Sequence, residues 1–359
     1  MSRCALVFGR SDFKYYGFDR LDFNTVWQTG YESIEKYNNI GKIPPSFNNA
    51  FLADSGNYIL RENQTNASNY LLFHNGYTGA GHAHADKLHF DLMIKGRDVL
   101  VDAGRYTYLN NAQRRYIKSP KAHNVCLIDN KQYLQVTTQW ETKNPAMAVQ
   151  YPCFDNEYCT LIGGAHLGYL KSRNAFIERK ILYIKPDIYV IVDVFKAKGF
   201  HTYQQYFHFA PTGKITISAN NAQFDDGIVK ANMHFVIPNA KIKKEDSIYS
   251  SNYNAICKND CIKSSFSAFG NTSAITVIYG NTAENFVPYD VSFEQIKTAR
   301  SEKTLPFSKA QGIVIKTPKK EYTICLAFKE LKEPFGCNNK IGSGTIGVFE
   351  NDKLIFTKW

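Results

Sequence analysis

The sequence predicts a mainly β protein: one large antiparallel β-sandwich behind a short helical lead-in. Three observations carry this. Short apolar and β-branched runs alternate with turn residues from about residue 50 to the end. Two tight hairpins are legible as apolar runs flanking turn residues. Aromatic residues make up 14% of the 359, with 23 Tyr and 25 Phe, which suits pleated strands better than a helical bundle. That length is ample for a sizeable core.

The lead-in covers residues 1–45. Its segment FNTVWQTGYESIEKYNNIGK places Val26, Tyr31, Ile34 and Tyr37 at a rough three-to-four spacing with Gly41 as a stop, and predicts a helix. IPPSFNNAFLADSGNYILREN then moves into extended patterning. The sandwich is expected over 46–359, with strands in NYLLFHNG, LHFDLMIKGRDVLVDAG, NVCLID, ERKILYIKPDIYVIVDVF, TYQQYFHFAP, GKITIS, SAITVIYG, GIVIKT, EYTICLAF and KLIFTKW. The first hairpin turns at Lys95 and Gly96, the second at Lys185, Pro186 and Asp187. No repeat or low-complexity tract interrupts this region; a division near residues 212–222 is the alternative to a single unit.

Forty-three Lys and Arg against 32 Asp and Glu give a net charge of +11, which steers a polyanion towards the chain. Nucleic acid, acidic polysaccharide, an anionic membrane and plain solubility charge all fit that balance. The eight cysteines are scattered without a CxxC and read as buried thiols; Cys153 with Cys159, and Cys257 with Cys261, are the candidate disulfides in an exported protein. The opening MSRCALVFGR has an apolar run too short for a signal-peptide core, and no stretch approaches the roughly 20 apolar residues of a membrane helix. A soluble chain is expected. The sequons at Asn63 and Asn66 read as a polar loop.

The densest chemistry lies in GHAHADKLHFD, residues 81–91, with three of the nine histidines. If this segment is a strand, His82 and His84 share one face and His89 looks the other way. Asp102 closes the next strand in VLVDAGRYTY, and His123 opens another in KAHNVCLID. Imidazoles plus one carboxylate form a common zinc set, while satisfied surface or core histidines are the plainer alternative. The metallo-β-lactamase pattern needs histidine where Lys87 stands, and a cupin needs a following Glu that is missing. His208, flanked by aromatics, reads as a hydrogen-bonded core residue. Tyr106 and Tyr108 suit either sugar stacking or strand packing.

GHAHADKLHFDLMIKGRDVLVDAGRYTY, RRYIKSPKAHNV, HLGY, ERKILYIKPDIYVIVDVF and YFHFAP, in that order, resemble the heparinase II/III-like family of polysaccharide lyases. The resemblance covers roughly residues 52–215, with Ala83 replacing the glycine usual between the two histidines. It implies an N-terminal (α/α) toroid followed by an antiparallel supersandwich, with substrate in the cleft between them. The lead-in is far too short for that toroid, so a helical partner domain or chain is implied. The implied activity is β-elimination on a uronate-containing anionic glycan such as a glycosaminoglycan. The implied partner is acidic polysaccharide rather than nucleic acid, and the implied location the bacterial periplasm or cell surface.

By the same resemblance, His82 faces the cleft and neutralises the uronate carboxylate or moves its α-proton. His84, Asp102 and His123 hold a structural divalent metal, usually zinc, with calcium the alternative. Arg114 and Arg115 contact the acidic sugar, Tyr116 packs, and His166 approaches the cleft; Tyr106 and Tyr108, from their alternation, remain the candidate sugar-stacking residues. A metal-stabilised glycan-binding module without catalysis is the second reading.

Overall fold

The computed structural model describes residues 1–79 and 81–358. They form two units: Met1–Ala50 with Asn63–Thr65, and Phe51–Glu62 with Asn66–Trp359.

The first unit carries four short helices, Ser2–Phe8, Ser11–Tyr15, Phe23–Thr29 and Ser33–Asn39. The helix expected across residues 23–42 is therefore two, broken at Gly30, whose φ of 86° lies outside the helical region. Asp22 caps the third helix by accepting from the Thr25 amide at 3.0 Å. Lys14 Nζ donates to the carbonyls of Tyr37 and Ile40 at 2.7 and 2.6 Å, satisfying orphan acceptors at the end of the fourth.

The second unit is built of antiparallel sheets. A nine-stranded sheet runs Phe154–Asp155, Cys159–His166, Ala175–Ile184, Ile188–Ala197, Thr272–Thr282, Val229–Val236, Asn221–Asp225, Lys214–Ser218, with Ala148–Gln150 also on Cys159–His166. Its central strands are buried on both faces, and their period of two sorts side chains between two cores. Ile177, Ile181, Tyr189, Ile191 and Phe195 join the first core. Leu182, Val190, Val192 and Val194, at the alternate positions, join the second.

The first core is completed by two further sheets. One is a five-stranded meander including Tyr70–His74, His89–Ile94 and Arg97–Leu100; the other is a four-stranded sheet including Cys126–Ile128, Phe200–His208 and Cys257–Phe269. The second core is completed by a C-terminal five-stranded sheet carrying Ile313, Ile324 and Val348. Both expected hairpins form; Lys95 and Gly96 sit at φ 48° and 75°, the left-handed pair that matches strand twist.

Residues 214–225 form a hairpin on the edge of the large sheet, Ser218 opposite Asn221, so no division falls there. All eight cysteines are free. Cys257 and Cys261 lie on one continuous strand, where four residues span about 13 Å, far beyond disulfide reach. The strand Cys159–His166 escaped the sequence reading because Gly163 and Gly164 interrupt its apolar pattern, yet every residue in it is buried. No helix among the described residues is long and apolar enough to cross a membrane.

Candidate metal centre

The histidine-rich segment is not a strand. Residues 81–88 form turns, and the strand begins only at His89. Two buried lysines and a buried tyrosine hold this loop. Lys118 Nζ donates to the Gly81 carbonyl at 2.8 Å and to the Gln139 carbonyl at 3.1 Å. Tyr133 donates its hydroxyl proton to the Ala85 carbonyl at 2.6 Å and accepts from the Lys87 amide at 2.9 Å. Lys87 Nζ reaches Thr78 Oγ1 at 2.8 Å.

The loop separates the two histidines that strand parity would have put together. His84 is half-buried and turns towards His123, ring centroids 5.4 Å apart, and Asp102. His82 is exposed and stands edge-on to Tyr108 and Trp140, at 5.5 and 5.2 Å. His89, expected to face away, is buried with its ring 5.5 Å from that of His123 and its Nε2 3.6 Å from Asp102. Because the Asn124 amide donates to His89 Nδ1, Nε2 carries the proton and donates to Asp91 at 2.9 Å.

His84, Asp102 and His123 each offer one ligand atom, all within 4.8 Å of one another. Asp102 follows the strand Arg97–Leu100; its Oδ1 accepts from the Gly104 amide at 2.8 Å, and its Oδ2 lies 2.5 Å from His123 Nδ1. His123 follows a short 3-10 turn, Pro120–Ala122, and is fully buried. Burial opposes charge on Asp102, but His123, His89 and His84 outweigh it and hold the carboxyl well below its usual range. Burial, reinforced by His123, pushes the His84 imidazole down to about 4, so it is neutral at pH 7, the form that donates a lone pair to a metal.

This donor set fits a divalent ion. His123 Nε2 is buried without a hydrogen-bond partner among the described residues. Three donors on a zinc ion would stand about 3.4 Å apart, and the three ligand atoms here lie within 4.8 Å of one another.

The helix Ala112–Lys118 explains the fate of the two arginines. Asn111 Oδ1 caps it by accepting from the Arg114 amide at 2.8 Å. Positions 114 and 118, four apart, share its buried face. Arg114 is fully buried and donates through Nη1 to His84 Nε2 at 3.1 Å and to the Arg105 carbonyl at 2.8 Å. A sugar contact was expected of it; burial against His84 makes it a support of the centre instead. Arg115, about 100° further round the helix, is exposed and donates to Asn110 Oδ1. Tyr106 is half-buried at φ 63° and packs on Ala103, Ile117 and Ala122. Tyr108 is half-buried beside His82, its hydroxyl 3.5 Å from Nδ1. Tyr116 packs in the same small cluster, its hydroxyl on Ser247 Oγ.

His166 does not approach this region: it is buried against the Tyr133 ring at 4.3 Å, and burial pushes its imidazole down to about 3. His208 is a hydrogen-bonded core residue as expected, on Ser247 Oγ and the Lys121 carbonyl. Sequence reasoning missed the buried pair of Arg179 and Asp193, in bidentate contact at 2.6 and 2.8 Å. Arg179 Nη1 also donates to the carbonyls of Leu88 and Asn124, at 2.7 and 2.5 Å. Those carbonyls adjoin His89 and His123. A charge at each end of paired buried runs, ERKILYI and IYVIVDV, was the available signal.

Fold and cluster together define a layered antiparallel β-sandwich protein with a two-histidine, one-aspartate cluster on the connecting segments that flank its strands. Residues 44–279 match the model of the heparinase II/III-like C-terminal family, and the chain belongs to that family. Its fold is similar to that of the heparan sulfate lyase HepC from Pedobacter heparinus, at 14% identity and a TM-score of 0.69 over 90% of this chain and 49% of that one. A heparinase III gene product aligns at 18% identity and 0.68, over 88% of this chain and 47% of that one. A further heparinase III aligns at 12% and 0.64, over 86% and 49%. The chain thus spans about half the length of these proteins. No curated protein sequence matches it.

Proposed function

We propose that this chain is the β-sandwich portion of a polysaccharide lyase acting by β-elimination on a uronate-containing anionic glycan. One observation carries the reading: in a chain of this family, the loop 81–88 sends His84 inward to Asp102 and His123 while leaving His82 exposed beside Tyr108. In β-elimination a base takes the uronate C5 proton, the electron pair forms a C4–C5 double bond, and the glycosidic oxygen leaves with a proton. The C5 proton becomes acidic only when the carboxylate charge is neutralised. His82 would hydrogen-bond that carboxylate, with the Tyr108 hydroxyl beside it orienting the imidazole.

His84, Asp102 and His123 would hold a divalent metal, zinc by their donor chemistry, whose part is structural: it would join the loop to the strands behind it. Arg114 and Lys118 position the same loop from the protein side.

Two measurements test this. Elemental analysis should find metal in the wild type and His82→Ala but not in His84→Ala; no metal in any of the three removes the metal role. The ultraviolet absorbance of unsaturated uronate should rise when acidic glycans are supplied, and His82→Ala should abolish the rise. Glycan binding without that product from the wild type would replace the lyase reading with that of a binding module.

A further inference from the structure

Beside His82 the sandwich unit gathers aromatic rings that its cores do not use. Tyr108 stacks on Trp140, centroids 5.0 Å apart at 25°, and lies 5.9 Å from Tyr253. Trp140 and Tyr253 keep 42% and 52% of their surface exposed. The Arg105 guanidinium lies over both tyrosines, 4.5 Å from the Tyr108 ring centre and 5.4 Å from that of Tyr253. It donates to the Tyr108 hydroxyl and forms no ion pair among the described residues.

This patch is built on a fixed support. Lys118, itself buried, ties the Gly81 carbonyl to the Gln139 carbonyl, and so holds the segments that carry His82 and Trp140 together. The backbone at Gly81 runs so close to Trp140 that a Cβ there would meet the indole Cε3 at 3.2 Å and the Trp140 carbonyl at 3.0 Å. Segments around residues 81, 105, 140 and 253 therefore converge on one surface.

We propose that Trp140 and Tyr253 form a stacking subsite for one pyranose unit of an acidic glycan, with Arg105 contacting that unit's carboxylate or sulfate. The inference rests on the glycan-binding reading above. A pyranose presents a face of C–H groups to an aromatic ring, and an unpaired guanidinium offers paired N–H donors to a planar or tetrahedral anion. Trp140 and Tyr253 supply the first need, and Arg105 the second: its guanidinium is held over the Tyr108 and Tyr253 rings, and its remaining N–H groups are free of carboxylates among the described residues.

The test is calorimetric titration of the purified chain with size-defined heparan sulfate oligosaccharides, with a neutral oligosaccharide and a single-stranded oligonucleotide as comparators. Trp140→Ala and Tyr253→Ala should each weaken oligosaccharide binding tenfold or more while bound metal is unchanged. Trp140→Phe and Tyr253→Phe should stay within about threefold of wild type, since they keep a ring. Arg105→Gln should weaken the acidic ligand and leave the neutral one unaffected. Wild-type binding that both alanine variants retain overturns the subsite and leaves the lyase reading standing. No binding of acidic glycan by the wild type overturns both, and tighter binding of the oligonucleotide overturns the choice of ligand.

Discussion

Replacing Arg179 by Met, alone and together with Asp193→Leu, separates the stability of the fold from the geometry of the candidate metal centre. Arg179 and Asp193 face each other across adjacent central strands, both fully buried. Removing the guanidinium leaves the Asp193 carboxylate with a buried partner in Gln205 Nε2, at 2.7 Å, and no positive charge. Breaking a buried pair in this way costs about 3–5 kcal/mol. The carbonyls of Leu88 and Asn124 lose their shared donor as well, about 1–3 kcal/mol for each one left unsatisfied. Those two carbonyls fix the backbone next to His89 and His123, so the single variant should lose both stability and metal.

Arg179→Met/Asp193→Leu should regain the about 3–5 kcal/mol lost with the ion pair, because an apolar pair of similar volume is about as stable as a buried one, and stay below wild type by the cost of the two carbonyls left without a donor. It should not regain the metal, because the two carbonyls stay without a donor. Urea unfolding followed by circular dichroism gives the first quantity, and elemental analysis after dialysis gives the second. A single variant within about 1 kcal/mol of wild type refutes the charge argument. A double variant that binds metal like wild type refutes the anchoring role of the carbonyls.

Lys118→Met should lower glycan affinity, since Lys118 links the His82 and Trp140 segments, with little change in bound metal, since His84 keeps its own contact with Arg114; parallel titration and elemental analysis check this. Burial and the nearby Arg114 lower the Lys118 ammonium to about 8 from an ordinary 10.5. Between those values the unfolded chain binds more protons than the folded one, so wild-type stability relative to Lys118→Met should rise with pH from about 8 to about 10.5. His166 titrates in the opposite range. Its imidazole is pushed from 6.5 to about 3, so only the unfolded state protonates between them, and stability should fall as pH drops through that window. His166→Phe, which keeps a ring against Tyr133, should flatten the acid limb of a pH series of unfolding midpoints.

Much of the architecture was legible because strand burial has a period of two. ILYIKPDIYVIVD announces two central strands and their turn, and the structure places alternate residues of each in different cores. Spacing alone offered Asp102 and His123 as partners of the paired histidines, but only the family resemblance singled out His84, since parity kept His82 and His84 together. Parity failed because it holds only in extended backbone, and Lys87, Lys118 and Tyr133 bind residues 81–88 as a loop. The same failure put His89 on the wrong side. The Arg114 and Arg115 expectation divided for a helical reason: neighbours lie about 100° apart around the axis, so one is buried against His84 and the other meets solvent.

The sequence by itself determined the antiparallel β class, the two hairpins and the family, because these are written in local patterns and ordered motifs. Which histidine turns inward, which arginine is buried, and which aromatic rings stand beside His82 were decided by tertiary structure. These outcomes depend on contacts such as Lys118 with Gln139, Arg179 with Asn124, and Tyr108 with Tyr253. Their partners lie tens to more than a hundred residues apart, and no local period connects them.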